Sequence, residues 1–229
     1  MTFSILAVDQ KTGTLGGASA TGSLCVGGWV LRGSVHGGLV ASQGTSPSTF
    51  WRDDALEALR AGQGAKTAVE SVTKGDRGKD HRQLIALDRH GHSGAFTGVE
   101  SVAWAGELAG DGFVCAGNMI AGKDVLTALA QGYAETGGAM ADRLLAALSA
   151  AAARGGDSRG LLSAAMLVLA PDAAPVDLRI DHDPSPLRAL GQLLKAVRTR
   201  PYADWLEEVP VLNDRTRTPQ KQVKDAKGD

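Results

Sequence analysis

The segment that most constrains the fold lies at the start of the chain, over Phe3–Asp9 (FSILAVD). Successive side chains of a β-strand point to opposite faces, and here both alternating sets are largely apolar or small. A strand of this kind is stable only when both of its faces are covered. The segment therefore predicts a strand buried between two layers. A turn at Gln10–Gly13 and a second strand over Leu15–Thr21 complete an N-terminal hairpin.

The remaining elements are predicted to come in blocks rather than in strict alternation. Strand patterns cover Trp29–Arg32, Gly38–Ser42, Gln83–Asp88, Ser93–Thr97, Val102–Leu108, Gly112–Ala116, Ser163–Ala170 and Val176–Ile180. Helical spacing covers Trp51–Leu59, Ala65–Val72, Lys123–Thr136, Ala139–Ala153 and Pro186–Arg198. A loop rich in Gly, Ser, Thr and Pro is predicted over Gln43–Ser48. This order argues against a parallel doubly wound sheet. It predicts an α+β fold in which two stacked, mainly antiparallel sheets lie between helix pairs.

The length of 229 residues allows one large domain or two small ones. We predict a single domain over residues 1–200 and a C-terminal extension over residues 201–229. Periodicity is lost after Pro201, and the chain ends in a polar, charged stretch. We expect the last dozen residues to form a flexible tail.

The charge balance and the cysteine content indicate which binding partners and which cellular compartment to expect. Lys and Arg number 24 against 25 Asp and Glu, a balance that argues against binding nucleic acid or an anionic membrane. No apolar run reaches the roughly 18 residues of a membrane span. Cys25 and Cys115 are too few for a disulfide framework, and the first residues carry no basic segment typical of a secretory signal. We therefore expect a cytoplasmic protein.

Thr2 is the residue to which we give most weight. It follows Met1, and aminopeptidases that trim Met require a small second residue. Removal of Met1 would leave an α-amine, whose pKa is near 7.7–8, on the residue that carries a hydroxyl. Nucleophile and base are then present on one residue, a variant of the nucleophile–base pair of hydrolases. The alternative is that Thr2 is an ordinary start residue.

Many short motifs along most of the chain, from Thr2 to about Leu194, match one family in order. They are Thr2-Phe3-Ser4-Ile5, Gly17–Thr21, Val26-Gly27, Ala41-Ser42-Gln43, Arg82-Gln83-Leu84, Thr97-Gly98, Trp104-Ala105-Gly106, Gly117-Asn118-Met119, Gly155-Gly156-Asp157, Arg159-Gly160 and Ser163-Ala164-Ala165. On these motifs the chain resembles the DUF1028 family, which is assigned to the Ntn-hydrolase superfamily. The resemblance implies a four-layer αββα sandwich and Thr2 as the nucleophile.

The chain departs from the family pattern at several positions. Gly22 and Ser23 stand where relatives usually carry a basic residue and an aromatic one, and Leu162 stands where they carry glutamine. Threonine hydrolases such as proteasome subunits place a lysine beside the nucleophile. This chain has no lysine between Lys11 and Lys66, and Arg32 is the first of the arginines in that interval. Proteasome-like activation therefore does not carry over.

Three further polar residues are candidates for the same site. Asn118 ends a strand, where its amide could donate to an oxyanion or could satisfy backbone groups in a turn. Thr21 and Gln43 end the second and fourth strands, where each could orient the Thr2 amine, bind substrate, or be a structural polar residue.

The remaining candidates are weaker. Asp157 and Arg159 lie in a Gly-rich loop. They could form an ion pair that holds this loop, or they could bind a charged group of the substrate. Both cysteines are expected to be buried small hydrophobes. The sequence indicates neither a metal site nor a cofactor.

Three functional hypotheses follow. The first is a hydrolase that cleaves a small amide or peptide-like substrate with Thr2, assisted by Asn118, without metal or cofactor. The second is a non-catalytic binding or structural protein on the same scaffold. The third is an enzyme that uses Cys25.

The Ala- and Leu-rich helices over Lys123–Ala153 offer a face for a homodimer.

Overall fold

The structure is a computed structural model that describes residues 2–101, 104–155 and 160–219. Within these ranges the chain forms ten strands and seven α-helices. The strands are β1 (Thr2–Asp9), β2 (Thr14–Thr21), β3 (Leu31–Ser34), β4 (Gly38–Gly44), β5 (Arg82–Asp88), β6 (Ser93–Thr97), β7 (Trp104–Gly110), β8 (Phe113–Ile120), β9 (Ser163–Leu169) and β10 (Val176–Ile180). The helices are α1 (Val26–Trp29), α2 (Thr49–Arg60), α3 (Ala65–Thr73), α4 (Lys123–Glu135), α5 (Met140–Ala153), α6 (Pro186–Val197) and α7 (Tyr202–Leu206).

The described strands form two sheets, and every pairing in them is antiparallel. The larger sheet has the order β10-β9-β2-β1-β8-β7, and the smaller one has the order β3-β4-β5-β6. β1 therefore lies in the middle of the larger sheet, between β2 and β8.

Three apolar clusters show how the layers stack. Phe3 and Ile5 of β1 pack on α4, α5 and α6. Leu6 of β1 packs on the opposite side, against Leu39 and Ile85 of the smaller sheet. The far face of the smaller sheet packs on α2 and α3. The molecule is thus a sandwich of helices, sheet, sheet and helices, which confirms the predicted fold class.

The N-terminal strand is buried on both faces, as its composition predicts. Phe3, Ile5 and Leu6 are fully buried. Burying one such side chain contributes about 1.5–3 kcal/mol. Because the two faces of β1 belong to different apolar clusters, this strand ties the helical layer to the inter-sheet layer.

Several predicted boundaries were wrong at the end of the molecule where polar side chains gather. The segment predicted as a strand at Trp29–Arg32 begins as helix α1, and β3 starts only at Leu31. Val26 and Val30 are both buried and lie one helical turn apart. Gly27 between them lies so close to β9 that a Cβ at position 27 would be 2.8 Å from the Cβ of Ala165. The helical turn therefore packs closely on strand β9, where position 27 has room only for glycine.

Two strands run further than predicted. β4 continues through Gln43 to Gly44, because both residues pair with β5, at Gln83 and Arg82. β8 continues to Ile120, which places Asn118 inside the strand rather than in a turn. Both extensions carry polar residues into the inter-sheet layer.

The segment after Pro201 packs on the same chain over its described part, which ends at residue 219. Val211 is buried, and the Asn213 backbone N–H donates to the Pro171 carbonyl over 2.9 Å. The predicted flexible tail falls largely on residues 220–229, which lie outside the described residues. In the described part of the chain, every helix is too short or too polar to cross a membrane.

Candidate functional site

At one end of the inter-sheet layer, polar side chains replace the apolar core. In β1, Leu6 and Val8 belong to the inter-sheet cluster, so strand alternation puts Ser4 and Thr2 on the same face. The same alternation applies in five other strands that reach this end. The polar residues so placed are Thr2, Ser4, Ser19, Thr21, Gln43, Gln83, Asn118 and Ser163, and all are buried.

Thr2 opens the central strand and is held from both sides. It pairs with Thr21 on β2 and with Asn118 on β8. Its hydroxyl oxygen lies 3.1 Å from the hydroxyl oxygen of Thr21. The side chain is 8% exposed, so a small opening reaches it. The start of this strand is therefore a fixed position rather than a frayed terminus.

Two glutamines from the smaller sheet connect Thr2 to the rest of the polar group. Gln43 Nε2 donates to the Thr2 carbonyl over 3.3 Å and to Gln83 Oε1 over 2.7 Å. Gln83 Nε2 in turn lies 3.1 Å from the carbonyl oxygens of Gly106 and Gly117 in the larger sheet. The two sheets are thus joined by side-chain hydrogen bonds at this end of the inter-sheet layer.

The two backbone carbonyls that face Gln83 determine which atom donates in each hydrogen bond between these amides. A carbonyl oxygen only accepts, so the Gln83 atom that faces Gly106 and Gly117 is its nitrogen. Gln83 Oε1 is then an acceptor, and its neighbour on Gln43 is a nitrogen. Gln43 Oε1 is left to accept from Ser4 Oγ over 2.5 Å. The orientation of each amide in this part of the network is therefore determined.

Asn118 belongs to this network and is fully buried. Its Nδ2 donates to Gln83 Oε1 over 3.2 Å. Its Oδ1 is buried and has no hydrogen-bond partner within the described part of the chain. Asn118 does not contribute to the lining of the adjacent pocket, although the next residue, Met119, does.

A pocket of about 660 Å³ opens over Thr2. Thr2, Thr21 and Gln43 form its polar floor, and the half-exposed side chains of Leu24 and Trp29 stand in its wall. The remaining described lining residues are Ser23, Val26, Val30, Gly44, Thr45, Ser46, Pro47 and Met119. None of the described lining residues carries a charge.

Backbone strain is concentrated beside this pocket. Among the described residues, Cys25 (φ 59°) and Met119 (φ 55°) are the non-glycine residues with left-handed backbone. Met119 lines the pocket, and Cys25 lies between two residues that do. A left-handed conformation costs a non-glycine residue about 1–2 kcal/mol. Strain of this kind collects at ligand and active sites, where the surrounding structure maintains it.

Ser163 fixes the loop that carries Cys25. Its hydroxyl accepts from the Val26 backbone N–H over 3.1 Å and donates to the Ser23 carbonyl over 2.8 Å. The Thr21 carbonyl accepts from the Leu162 backbone N–H over 2.9 Å. The pocket wall is therefore anchored to β9 by several bonds, which maintains its shape.

The family is shown by the extent of the match. A family model described as a family of unknown function, DUF1028, matches residues 2–190. The chain belongs to the DUF1028 family. It is also similar to the protein SPO2555 from Silicibacter pomeroyi, a DUF1028 protein whose crystal structure is 49% identical and superposes with a TM-score of 0.92, covering 96% of each chain. No curated protein matches this chain.

In this DUF1028 protein the structure brings four of the six sequence-predicted residues together. Thr2, Thr21 and Gln43 line the pocket, and Asn118 lies behind it in the network. Asp157 and Arg159 lie outside the described residues. Sequence reasoning missed Gln83, although Arg82-Gln83-Leu84 was among the motifs that carry the family resemblance. The available signal was strand alternation, since Ile85 and Leu87 of the same strand face the inter-sheet layer.

Arg32, the first arginine of the chain, lies in a different cleft. Burial and the neighbouring Arg52 guanidinium lower the pKa of Arg32. It shares its cleft with Asp177 and Arg179. Within the described residues, no Lys, Arg or His lines the pocket over Thr2.

The two cysteines differ in environment. Cys115 is buried as predicted, and that burial raises the pKa of its thiol. Cys25 is exposed, so its prediction as a buried residue was wrong. It precedes α1 and has a left-handed backbone. No three His, Cys, Asp or Glu side chains of the described residues gather as a metal site requires.

Proposed function

We propose that this protein is an amide-bond hydrolase of the N-terminal-nucleophile type, with Thr2 as its nucleophile after Met1 is removed. The observation that carries the proposal is the position of Thr2. Its hydroxyl lies at the floor of a pocket of about 660 Å³, on a central strand held from both sides. The layered architecture and the family resemblance support the same assignment by analogy.

The reaction would proceed in two steps. Thr2 Oγ1 attacks the carbonyl carbon of the amide, and its proton passes to the Thr2 α-amine, directly or through a water. The tetrahedral oxyanion is stabilised by backbone N–H groups. The C–N bond then breaks, and the leaving amine takes the proton. Water hydrolyses the resulting threonyl ester, which releases the acid and regenerates Thr2.

Two of the predicted residues have supporting rather than chemical roles in this proposal. The hydroxyl of Thr21, 3.1 Å from that of Thr2, holds the nucleophile in one rotamer. Gln43 binds the Thr2 carbonyl and fixes the strand end. Asn118 is buried behind the pocket with an N–H donated to Gln83, so we do not assign it to the oxyanion.

The pocket lining favours a neutral substrate. The described lining residues are uncharged, so a charged group would lose hydration without gaining an ion pair. Leu24 and Trp29 are each about half exposed in the pocket wall. These two side chains offer an apolar surface, so we propose a neutral amide with an apolar group as the substrate class.

A second candidate function is a binding protein without catalysis. One observation favours it: no cation lines the pocket among the described residues, so nothing there lowers the pKa of the nucleophile. The state of the N-terminus distinguishes the two functions, because a retained Met1 leaves Thr2 without an α-amine.

The test is the intact mass of untagged protein, before and after incubation with an activated ester of a neutral acid. We expect Met1 to be absent and one acyl group to be added, and we expect hydroxylamine to release that group as an ester. Thr2→Ala keeps an α-amine but has no hydroxyl, so any remaining adduct will be a hydroxylamine-resistant amide. Retention of Met1, or an adduct equally labile in Thr2→Ala, would favour the binding protein.

Cys25 offers a separate prediction, since it is exposed and strained. Cys25→Gly will raise the free energy of unfolding by about 0.5–1 kcal/mol, because glycine adopts positive φ without the steric cost. Acylation of Thr2 will be unchanged. Urea denaturation and the mass assay measure the two effects.

The matched control is Cys25→Ser, which removes the thiol but keeps the strained backbone. It will leave stability close to that of the wild type. Loss of acylation in both variants would instead support Cys25 as the nucleophile.

A further inference from the structure

The Asn118 side chain presents a buried oxygen that its own network does not use. Asn118 is fully buried, and Oδ1 has no partner within the described residues. The identity of this atom is determined, because Gln83 Oε1 only accepts and the Asn118 atom 3.2 Å from it must therefore be the nitrogen. Buried carbonyl oxygens without a partner are rare in folded proteins and call for an explanation.

The backbone directs the Thr2 nitrogen toward this same residue. Each residue of a central antiparallel strand directs its main-chain N–H and C=O to one flanking strand, and the next residue directs them to the other. The Val8 N–H donates to the Gly112 carbonyl at the β8 side over 2.8 Å. Thr2 is six residues earlier and has the same parity, and it pairs with Asn118. The nitrogen of Thr2 therefore points to β8, where its peptide N–H faces the main-chain carbonyl of Asn118. The side chains of Thr2 and Asn118 lie on the same face of the sheet, so Oδ1 is an acceptor for a further N–H of this nitrogen.

Two observations on the β2 side of Thr2 agree with a Thr2 nitrogen that points to β8. The Thr21 carbonyl points away from β1 and accepts from Leu162. Thr2 and Thr21 are then a pair without exchanged backbone bonds, in which side chains approach most closely. Their hydroxyl oxygens are 3.1 Å apart, as such a pair allows.

Removal of Met1 would change the hydrogen-bonding capacity of that nitrogen. A peptide nitrogen has one N–H to donate, whereas an amino group has two and an ammonium group three. The described residues that hydrogen-bond to Thr2 or line its pocket are neutral. The charged side chains that contact this part of the molecule have other partners. Arg52 donates to the Gly28 and Trp29 carbonyls, and Arg82 pairs with Asp76 and donates to the Ser46 carbonyl. Glu107 accepts from Thr97, whose hydroxyl in turn accepts from Gln83 Nε2 at the far end of the network.

We infer that the side-chain oxygen of Asn118 accepts a hydrogen bond from the α-amino group of Thr2 that Met1 removal creates. This inference rests on the proposed function. Asn118 is then a positioning residue: it fixes the rotation of the amine about the Cα–N bond, so that the lone pair can face Thr2 Oγ1. The buried oxygen is thereby explained as a partner for the processed N-terminus.

The α-amine pKa tests this role independently of turnover. Protein labelled with ¹³C-threonine gives a Thr2 Cβ resonance that titrates with the amine and is assigned by its loss in Thr2→Ser. An acceptor stabilises the protonated amine, so Asn118→Leu will lower the amine pKa by about one unit, a tenfold change in its protonation equilibrium. Asn118→Asp places a carboxylate there and will raise it.

The control is Ser19→Ala, which removes a hydroxyl 2.6 Å from Ser4 in the same network without touching Asn118. It will leave the amine pKa unchanged. An equal shift in Asn118→Leu and Ser19→Ala, or no rise in Asn118→Asp, would overturn the inference while leaving the hydrolase proposal intact. If Thr2 does not titrate because Met1 is retained, the proposed function fails with it.

Discussion

Thr2→Val will abolish amide hydrolysis, lowering kcat by at least about 10³-fold while a neutral amide still binds in the pocket. Valine replaces the hydroxyl by a methyl group of nearly the same size, so the pocket keeps its shape. The nucleophile is lost, and the α-amine alone cannot form the ester intermediate. Steady-state rates and binding by calorimetry measure the two effects separately.

The matched variant is Thr2→Ser, which keeps both the hydroxyl and the small size that allows Met1 removal. It will retain activity within about tenfold of the wild type, since only the methyl group that restrains the rotamer is lost. Intact mass must show Met1 absent from both variants. Equal activity in Thr2→Val and the wild type would rule out Thr2 as the nucleophile.

Gln83→Leu will have the largest effect on stability, lowering the free energy of unfolding by about 3–5 kcal/mol. Leucine fits the space but removes the Gln83 partner of Asn118 Nδ2 and of the Gly106 and Gly117 carbonyls. It also removes one of the two acceptors of Gln43 Nε2, which keeps the Thr2 carbonyl. Each buried polar group left unpaired costs about 1–3 kcal/mol, and local relaxation recovers part of the total. Urea denaturation measures the change.

Gln63→Leu is the control, because Gln63 is exposed after α2 and no side-chain hydrogen bond is described for it. It will change the free energy of unfolding by less than about 0.5 kcal/mol. A Gln83→Leu variant as stable as this control would mean that the polar network contributes nothing to holding the two sheets together.

The strand and helix pattern could be predicted because local alternation follows the layers. The two apolar sets of Phe3–Asp9 correspond to two apolar clusters on opposite sides of β1. The helices over Lys123–Glu135 and Met140–Ala153 begin and end close to their predicted positions. In these segments each residue's environment depends on its neighbours in the chain, so periodicity is sufficient.

The site could be predicted only in part. Thr2 was singled out for its chemistry after Met1, and Thr21 and Gln43 were singled out as strand ends. The structure places all three around one pocket. Gln83 was not predicted, because its importance comes from partners on four other strands. The turn at Val26–Trp29 was also missed, since its close packing on β9 at Gly27 is a contact between residues far apart in the chain.

By itself, the sequence determined the layered α+β architecture, the buried N-terminal strand and the family. It also pointed to Thr2, through the chemistry of a threonine placed after Met1. Only the tertiary structure decided that the polar strand ends form one network, that Asn118 lies behind the pocket with an unused oxygen, and that the described lining is uncharged. The physical reason is that strand alternation sets which face a side chain occupies, whereas its partner depends on which distant strand packs opposite.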